Sequence, residues 1–272
     1  MRRKFSICIV ILCILLILPC SVHAFDKENS VANVFAKYNL TGTFIMYDIS
    51  NKKYLMYNSA RAFKRFSPGS TFKIPHSLIA LETGCVHGVD EVFYHYSNEP
   101  VFLESWKSDA SLQSAIKISQ VPAYKYMASM IGKNRMQEHL NKLDYGNRQI
   151  GTENAFWLDN SLQISAYEQI EFLKKLVLLQ LPYSEFNQQA VQRICLLSMD
   201  SDCSWYGKTG WATDNIQIPI GWFIGWLHQE KTGKTYIFAL NADIASADDL
   251  YKREACVKEI FEALYITDKG VR

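Results

Sequence analysis

Ser70 and Lys73 stand three residues apart in Pro68-Gly69-Ser70-Thr71-Phe72-Lys73-Ile74-Pro75, a stretch that runs on through Leu78, Ile79 and Leu81 to Gly84. The apolar run predicts one helix, opened at Gly69-Ser70 and stopped by Gly84 in the left-handed conformation. One helical turn separates the serine from the lysine, so their side chains share a face and reach each other. A serine hydroxyl becomes a useful nucleophile when a base takes its proton, and a lysine can be that base only when neutral or chemically altered. Phe72, Ile74 and Leu78 supply the apolar surroundings that lower a lysine pKa. Free N–H groups at the helix start favour an oxyanion beside Ser70. These residues suit acyl transfer through a covalent serine intermediate. Pro75 falls about a turn inside the helix, which predicts an irregular first turn.

Spacing alone does not single out this pair, because Ser-x-x-Lys recurs at Ser50–Lys53 and Ser114–Lys117. The first lies in a polar Ser-Asn-Lys-Lys turn between strand-like runs and reads as a solvated hairpin tip. The second has no Gly-Ser entry and reads as surface helix. A capped helix with a snorkelling lysine would also explain Ser70 and Lys73 if they stood by themselves.

The elements that must position them follow from hydrophobic periodicity. Val31, Val34, Phe35 and Tyr38 mark an amphipathic first helix, and Thr43–Tyr47 and Tyr54–Tyr57 read as a hairpin. From Gly84 to about Met199 the pattern is mostly helical and loop-rich. Its clearest helix is capped by the Ser165…Glu168 box, has Ile170, Leu173, Leu176 and Val177 inward, and ends at Pro182. Ser204–Gly210, Ile218–Trp226 and Thr235–Asn241 then read as three antiparallel strands with a turn at Lys231–Lys234. A closing helix from about Asp249 has Leu250, Val257, Ile260, Phe261 and Leu264 inward. The expected fold is α+β: an antiparallel sheet flanked by terminal helices, with an inserted mainly helical domain. The boundaries are a sheet lobe at 25–68 and 204–272 and a helical lobe at about 69–203, with a small-molecule cleft between them.

With 272 residues, 49% hydrophobic and 21% charged, the chain has a globular composition and length for one or two domains. Arg2-Arg3-Lys4, the apolar run Phe5–Leu18 and Val22-His23-Ala24 read as a signal peptide over 1–24, its apolar run too short to span a bilayer. The expected mature chain, 25–272, is periplasmic and has no membrane anchor. Removing Arg2, Arg3 and Lys4 turns the formal charge of +2 into −1, which gives no reason to expect a nucleic-acid partner. Four cysteines remain, Cys85, Cys195, Cys203 and Cys256. Cys195 and Cys203 are the closest pair in sequence and the one to test for a disulfide. The scattered histidines predict no metal site.

Four further clusters accompany Ser70 and Lys73: Ser119-Gln120-Val121, Tyr145-Gly146-Asn147, Phe156-Trp157-Leu158 with the segment leading to Ser165, and Lys208-Thr209-Gly210-Trp211. A second Lys-Thr-Gly, at Lys231–Gly233, sits between two predicted strands, where a glycine turn explains it. In this order the set resembles the class D, oxacillinase-type β-lactamases of the penicillin-recognising serine enzymes, over about residues 28–265. The superfamily pattern pairs Ser-x-x-Lys with Ser-Asp-Asn and Lys-Thr-Gly. Here the middle element is Ser-Gln-Val, which favours class D over class A.

The resemblance implies two-step hydrolysis of a β-lactam amide, with Ser70 attacking the ring carbonyl. It implies that Lys73 carries N6-carboxylation derived from CO2 or bicarbonate and acts as general base in both steps, with no other cofactor. By the same resemblance Trp157 holds that group, Val121 shields it, and Ser119 passes a proton to the leaving nitrogen. The N–H groups of Ser70 and Trp211 form the oxyanion hole. Lys208, Thr209, Gly210 and Arg253 receive the substrate, with Lys252 as the alternative to Arg253 one residue away. Partners are β-lactams, and the protein itself is a monomer or homodimer. The rival readings are a penicillin sensor or D,D-peptidase-like protein that is acylated without efficient turnover, and an inert binding module.

Overall fold

The computed structural model describes residues 18–268 apart from Glu153 and Asn215, with side chains from Asp26 onward. Of the expected signal segment, residues 1–17 lie outside the described residues, and the remainder begins helix α1 (Leu18–Lys37). Among the described residues no helix is long and apolar enough to cross a membrane.

One antiparallel sheet organises the chain. Its strands are β1 (Gly42–Asp48), β2 (Lys53–Tyr57), β5 (Leu196–Met199), β6 (Cys203–Ala212), β7 (Ile220–Gln229) and β8 (Thr235–Asp243), in the order β2-β1-β8-β7-β6-β5. A two-residue pair, β3 (Arg65–Phe66) with β4 (Ile164–Ser165), stands apart from it. The central strands are buried on both faces, and their alternation sorts side chains between two layers. Phe44, Phe223, Phe238 and Leu240 pack with Val34 and Phe35 of α1 and Val257, Ile260 and Phe261 of the last helix, α8 (Lys252–Ala263). Ile45, Ile224, Ile237 and Ala239, one residue along from these, pack against the helical layer on the other face. That layer contains α2 (Lys73–Glu82), α3 (Leu112–Lys117), α4 (Val121–Ile131), α5 (Lys133–Leu143), α6 (Ala166–Val177) and α7 (Glu185–Ile194). The expected α+β arrangement is therefore the observed one.

Three details depart from the sequence reading. The capping box at Ser165 and Glu168 is present, but α6 stops at Val177 rather than at Pro182. Leu179 takes a positive φ of 58° and reverses the chain before the proline is reached. Within the interval read as helical and loop-rich, Leu196–Met199 pairs with Ser204–Tyr206 as the edge strand of the sheet. The four cysteines in the described part are free thiols, so Cys195 and Cys203 are not bonded to each other.

Candidate active site

The stretch around Ser70 begins as a 3-10 turn over Gly69–Phe72 and becomes the α-helix α2 at Lys73. This is the irregular first turn that Pro75 predicts: with no N–H, proline is tolerated in the first turn of an α-helix and not deeper. The first bond of the 3-10 turn runs from Thr71 N–H to Pro68 O at 3.2 Å. The N–H of Ser70 comes before it and has no partner within the turn. At the far end Gly84 takes φ 67° and stops the helix.

Lys73 Nζ lies 2.9 Å from Ser70 Oγ. Lys73 is fully buried, and Nζ sits 5.0 Å from the centre of the Tyr124 ring on α4. Burial, reinforced by the charge of Lys208, holds its pKa well below that of an ordinary lysine. Tyr124 is fixed by the 2.8 Å contact of its hydroxyl with Ser77, one turn beyond Lys73. Sequence reasoning had no signal for Tyr124, because nothing in its local pattern ties it to a helix more than forty residues earlier.

Trp157 reaches the same place from the loop between α5 and β4. Its indole stacks on Phe72 at 5.9 Å and is fully buried, and Nε1 has no hydrogen-bond partner among the described residues. Ser67 Oγ donates to Trp157 O at 3.0 Å. The Tyr145-Gly146-Asn147 turn secures the rest of the loop. Asn147 donates to Ser161 O at 2.7 Å and accepts from Gln163 N–H at 2.9 Å. Gly146 has φ 56°, and a Cβ there would lie 2.1 Å from Gln163 O. The tripeptide is thus a loop anchor that only glycine fits at its centre.

Strand β6 forms the opposite wall. Because β5 pairs only with its first residues, the length from Gly207 onward is a free edge on that side. Gly207 N–H still points to that edge, donating to Cys195 O at 2.8 Å. Strand alternation puts the N–H groups of Thr209 and Trp211 on the same side. The nucleophile turn packs directly on this strand: a Cβ on Gly210 would fall 2.9 Å from Pro68 O, and one on Gly69 2.9 Å from Trp211 O. The turn carrying Ser70 and the strand carrying Trp211 therefore meet backbone to backbone, and Trp211 Nε1 donates to Ile244 O at 3.0 Å, turning the indole away.

Two cations border this wall. Lys208 is buried, with Nζ donating to Thr209 O at 3.0 Å, and burial together with Arg253 lowers its pKa to about 8. Arg253, on α8, donates Nη1–H to Gly210 O and Nε–H to Leu250 O, both at 2.7 Å. Burial lowers its pKa to about 10. Lys252, the alternative, pairs instead with Asp249 at 2.9 Å, so Arg253 is the residue at the strand. Ser119 and Val121 stand where α3 passes into α4, Ser119 with φ 57° and Val121 as the first residue of α4. The Ser119 hydroxyl makes no hydrogen bond to Ser70 or Lys73 among the described residues.

The other two Ser-x-x-Lys copies are elsewhere: Ser50 and Lys53 at the tip of the β1–β2 hairpin, Ser114 and Lys117 on the exposed face of α3. The second Lys-Thr-Gly forms the β7–β8 turn, with Gly233 at φ 66°.

A nucleophile beside a buried amine, an N–H pair at a helix start and strand edge, and a cationic wall make an acyl-transfer site for an anionic amide or ester. Comparison with known proteins agrees with this chemistry. The model of the penicillin-binding protein transpeptidase domain matches residues 42–262. β-Lactamase OXA-48 of Klebsiella pneumoniae is 37% identical over 238 residues, covering 87% of this chain and 88% of that protein. β-Lactamase OXA-10 of Pseudomonas aeruginosa is 35% identical, covering 87% and 89%. The crystal structure of FUS-1 (OXA-85), a class D β-lactamase from Fusobacterium nucleatum subsp. polymorphum, superposes with a TM-score of 0.85 at 48% identity, covering 88% of this chain and 98% of that one. The class D β-lactamase YbXI from Nostoc does so with a TM-score of 0.83 at 35% identity, covering 87% and 99%. The sheet, the serine paired with a buried lysine and these relatives lead to one assignment: the chain belongs to the class D β-lactamases, within the penicillin-binding transpeptidase family.

Proposed function

We propose that the protein opens the β-lactam ring of penicillin-type antibiotics through an acyl-Ser70 intermediate, with Lys73 carboxylated by CO2 as the general base of both steps. β-Lactam hydrolysis and the resistance it confers follow from family membership; the residue roles are our reading.

The observation that carries the base is a pairing of two facts. Lys73 is fully buried 2.9 Å from Ser70, and the indole of Trp157, packed on Phe72 and His76 of the same stretch, has a buried N–H without a partner. A buried donor without an acceptor costs about 1–3 kcal/mol. A depressed pKa keeps the amine neutral, the form that adds CO2. The site therefore fits such a group, which Trp157 would hold and which would supply an anionic base beside the Ser70 hydroxyl.

Ser70 Oγ bonds to the ring carbonyl carbon while the N–H groups of Ser70 and Trp211 take the developing oxyanion, worth about 3 kcal/mol per donor. The ring C–N bond breaks, and Ser119 passes a proton to the departing nitrogen. Water then cleaves the acyl ester and frees Ser70, with Val121 limiting water's approach to Lys73. Lys208, Thr209, Gly210 and Arg253 receive the substrate carboxylate, for which a guanidinium suits bidentate capture. The working form is residues 25–272 in the periplasm, which N-terminal sequencing of fractionated cells tests.

The deciding experiment follows penicillin loss in large excess over enzyme, with and without bicarbonate. Many turnovers per Ser70, increased by bicarbonate, support the proposal. A burst of one equivalent with a persistent adduct would instead mean a sensor or peptidase-like trap.

A further inference from the structure

His76 lies one helical turn beyond Lys73 on α2, as Lys73 lies one turn beyond Ser70, so the three residues follow the same face. It is fully buried, and neither ring nitrogen has a hydrogen-bond partner among the described residues. Its ring is held by Phe72, Tyr124 and Trp157, at centroid distances of 5.3, 5.4 and 5.1 Å. Trp157 contributes a third buried nitrogen without a partner, and the two orphaned side chains are in contact. Either neutral tautomer of an imidazole has one N–H to donate and one lone pair. A phenylalanine would fill this aromatic slot without the cost of burying two unpaired nitrogens.

We infer that His76 is a positioning residue for the carboxylated Lys73, donating its imidazole N–H to the carboxylate oxygens alongside the indole N–H of Trp157. The inference rests on the reading of Lys73 given above. When CO2 adds to the neutral amine, a nitrogen–carbon bond forms, one proton leaves to solvent and one negative charge stays in the pocket. That charge provides acceptors where the protein offers two buried donors and none to receive them. Burial, with the charge of Lys73 adding to it, lowers the His76 pKa to about 3, so the ring enters this arrangement neutral. His76 thereby sets how firmly CO2 is retained and leaves the chemistry at Ser70 to its neighbours.

The test uses the full mature protein and 13C-labelled bicarbonate, reading the carbamate resonance by NMR as bicarbonate is raised. His76→Phe keeps the aromatic packing and removes both nitrogens. The bicarbonate needed for half-maximal signal should rise about tenfold or more, the range of a hydrogen bond to a charged group. His76→Asn retains a donor and should stay within about threefold of the parent protein. An unchanged half-saturation in His76→Phe, with the parent signal present, overturns the role of His76 while leaving the carboxylated lysine intact. No carbamate signal in the parent protein at any bicarbonate concentration overturns the reading of Lys73 and this inference with it. Should His76→Phe fail to fold, 15N-histidine labelling of the parent protein decides: the His76 ring resonances must move as the carbamate signal grows, and stationary resonances overturn the proposal.

Discussion

Two stretches of this protein have the same Ser-x-x-Lys spacing on helices and opposite fates. In α3 the Ser114 hydroxyl accepts from Ser111 N–H at 2.9 Å, closing a capping box at the helix start, and Lys117 is exposed to water. At Ser70 the hydroxyl is engaged by a lysine that is fully buried. Spacing brings hydroxyl and amine within reach on one helix face in either place. The difference comes from residues distant in sequence: Tyr124 beneath the amine, Trp157 packed on the neighbouring Phe72 and His76, and Lys208 raising the potential around it. Desolvation disfavours the charged amine, and of these two copies only the one at Ser70 has the walls to do it.

Replacing the two serines makes the sharpest break. Ser70→Ala should abolish covalent labelling by penicillin and lower turnover by about 10^3-fold or more, whereas Ser114→Ala should retain labelling and turnover. Labelling that survives Ser70→Ala would remove the distinction. Lys73→Ala should lower turnover by a similar order and, unlike the parent protein, show no response to bicarbonate. Trp157→Phe preserves the stack on Phe72 and deletes the N–H; it should raise the bicarbonate needed for half-maximal activity by about tenfold. An unchanged requirement would mean that the orphaned indole holds nothing.

The smallest effect concerns pH. The Lys208 pKa is lowered to about 8, so its positive charge is complete below that pH and lost as pH rises through it. KM for a carboxylate-bearing β-lactam should therefore climb several-fold between about pH 7 and 9 with kcat little changed, and Lys208→Met should flatten the climb. A flat KM profile in the parent protein would place the carboxylate elsewhere.

Much of the fold could be read from local pattern. The β1–β2 hairpin, the Ser165–Glu168 capping box and the alternation of β6, β7 and β8 each depend on residues close in sequence. The end of α6 could not, because Pro182 is a plausible stop and the left-handed Leu179 that pre-empts it follows no glycine rule. The edge strand Leu196–Met199 was hidden for a related reason: it is short and exposed, with no periodicity to mark it. At the site, the ordered motifs pointed to Ser70, Lys73, Trp157 and Lys208, and the fold brings them together. Tyr124 could not be anticipated, because its role comes from packing across helices. His76 could have been, since it continues the one-turn spacing of Ser70 and Lys73.

The glycines at 69 and 210 have a mechanical consequence. With no side chain on either, the turn bearing Ser70 and the strand bearing Trp211 touch main chain to main chain, and no flexible layer separates them. Such a joint transmits displacement without slack: any motion that widened it would part the main chain at Gly69 from that at Trp211. The helical layer and the sheet are thus locked together along this line.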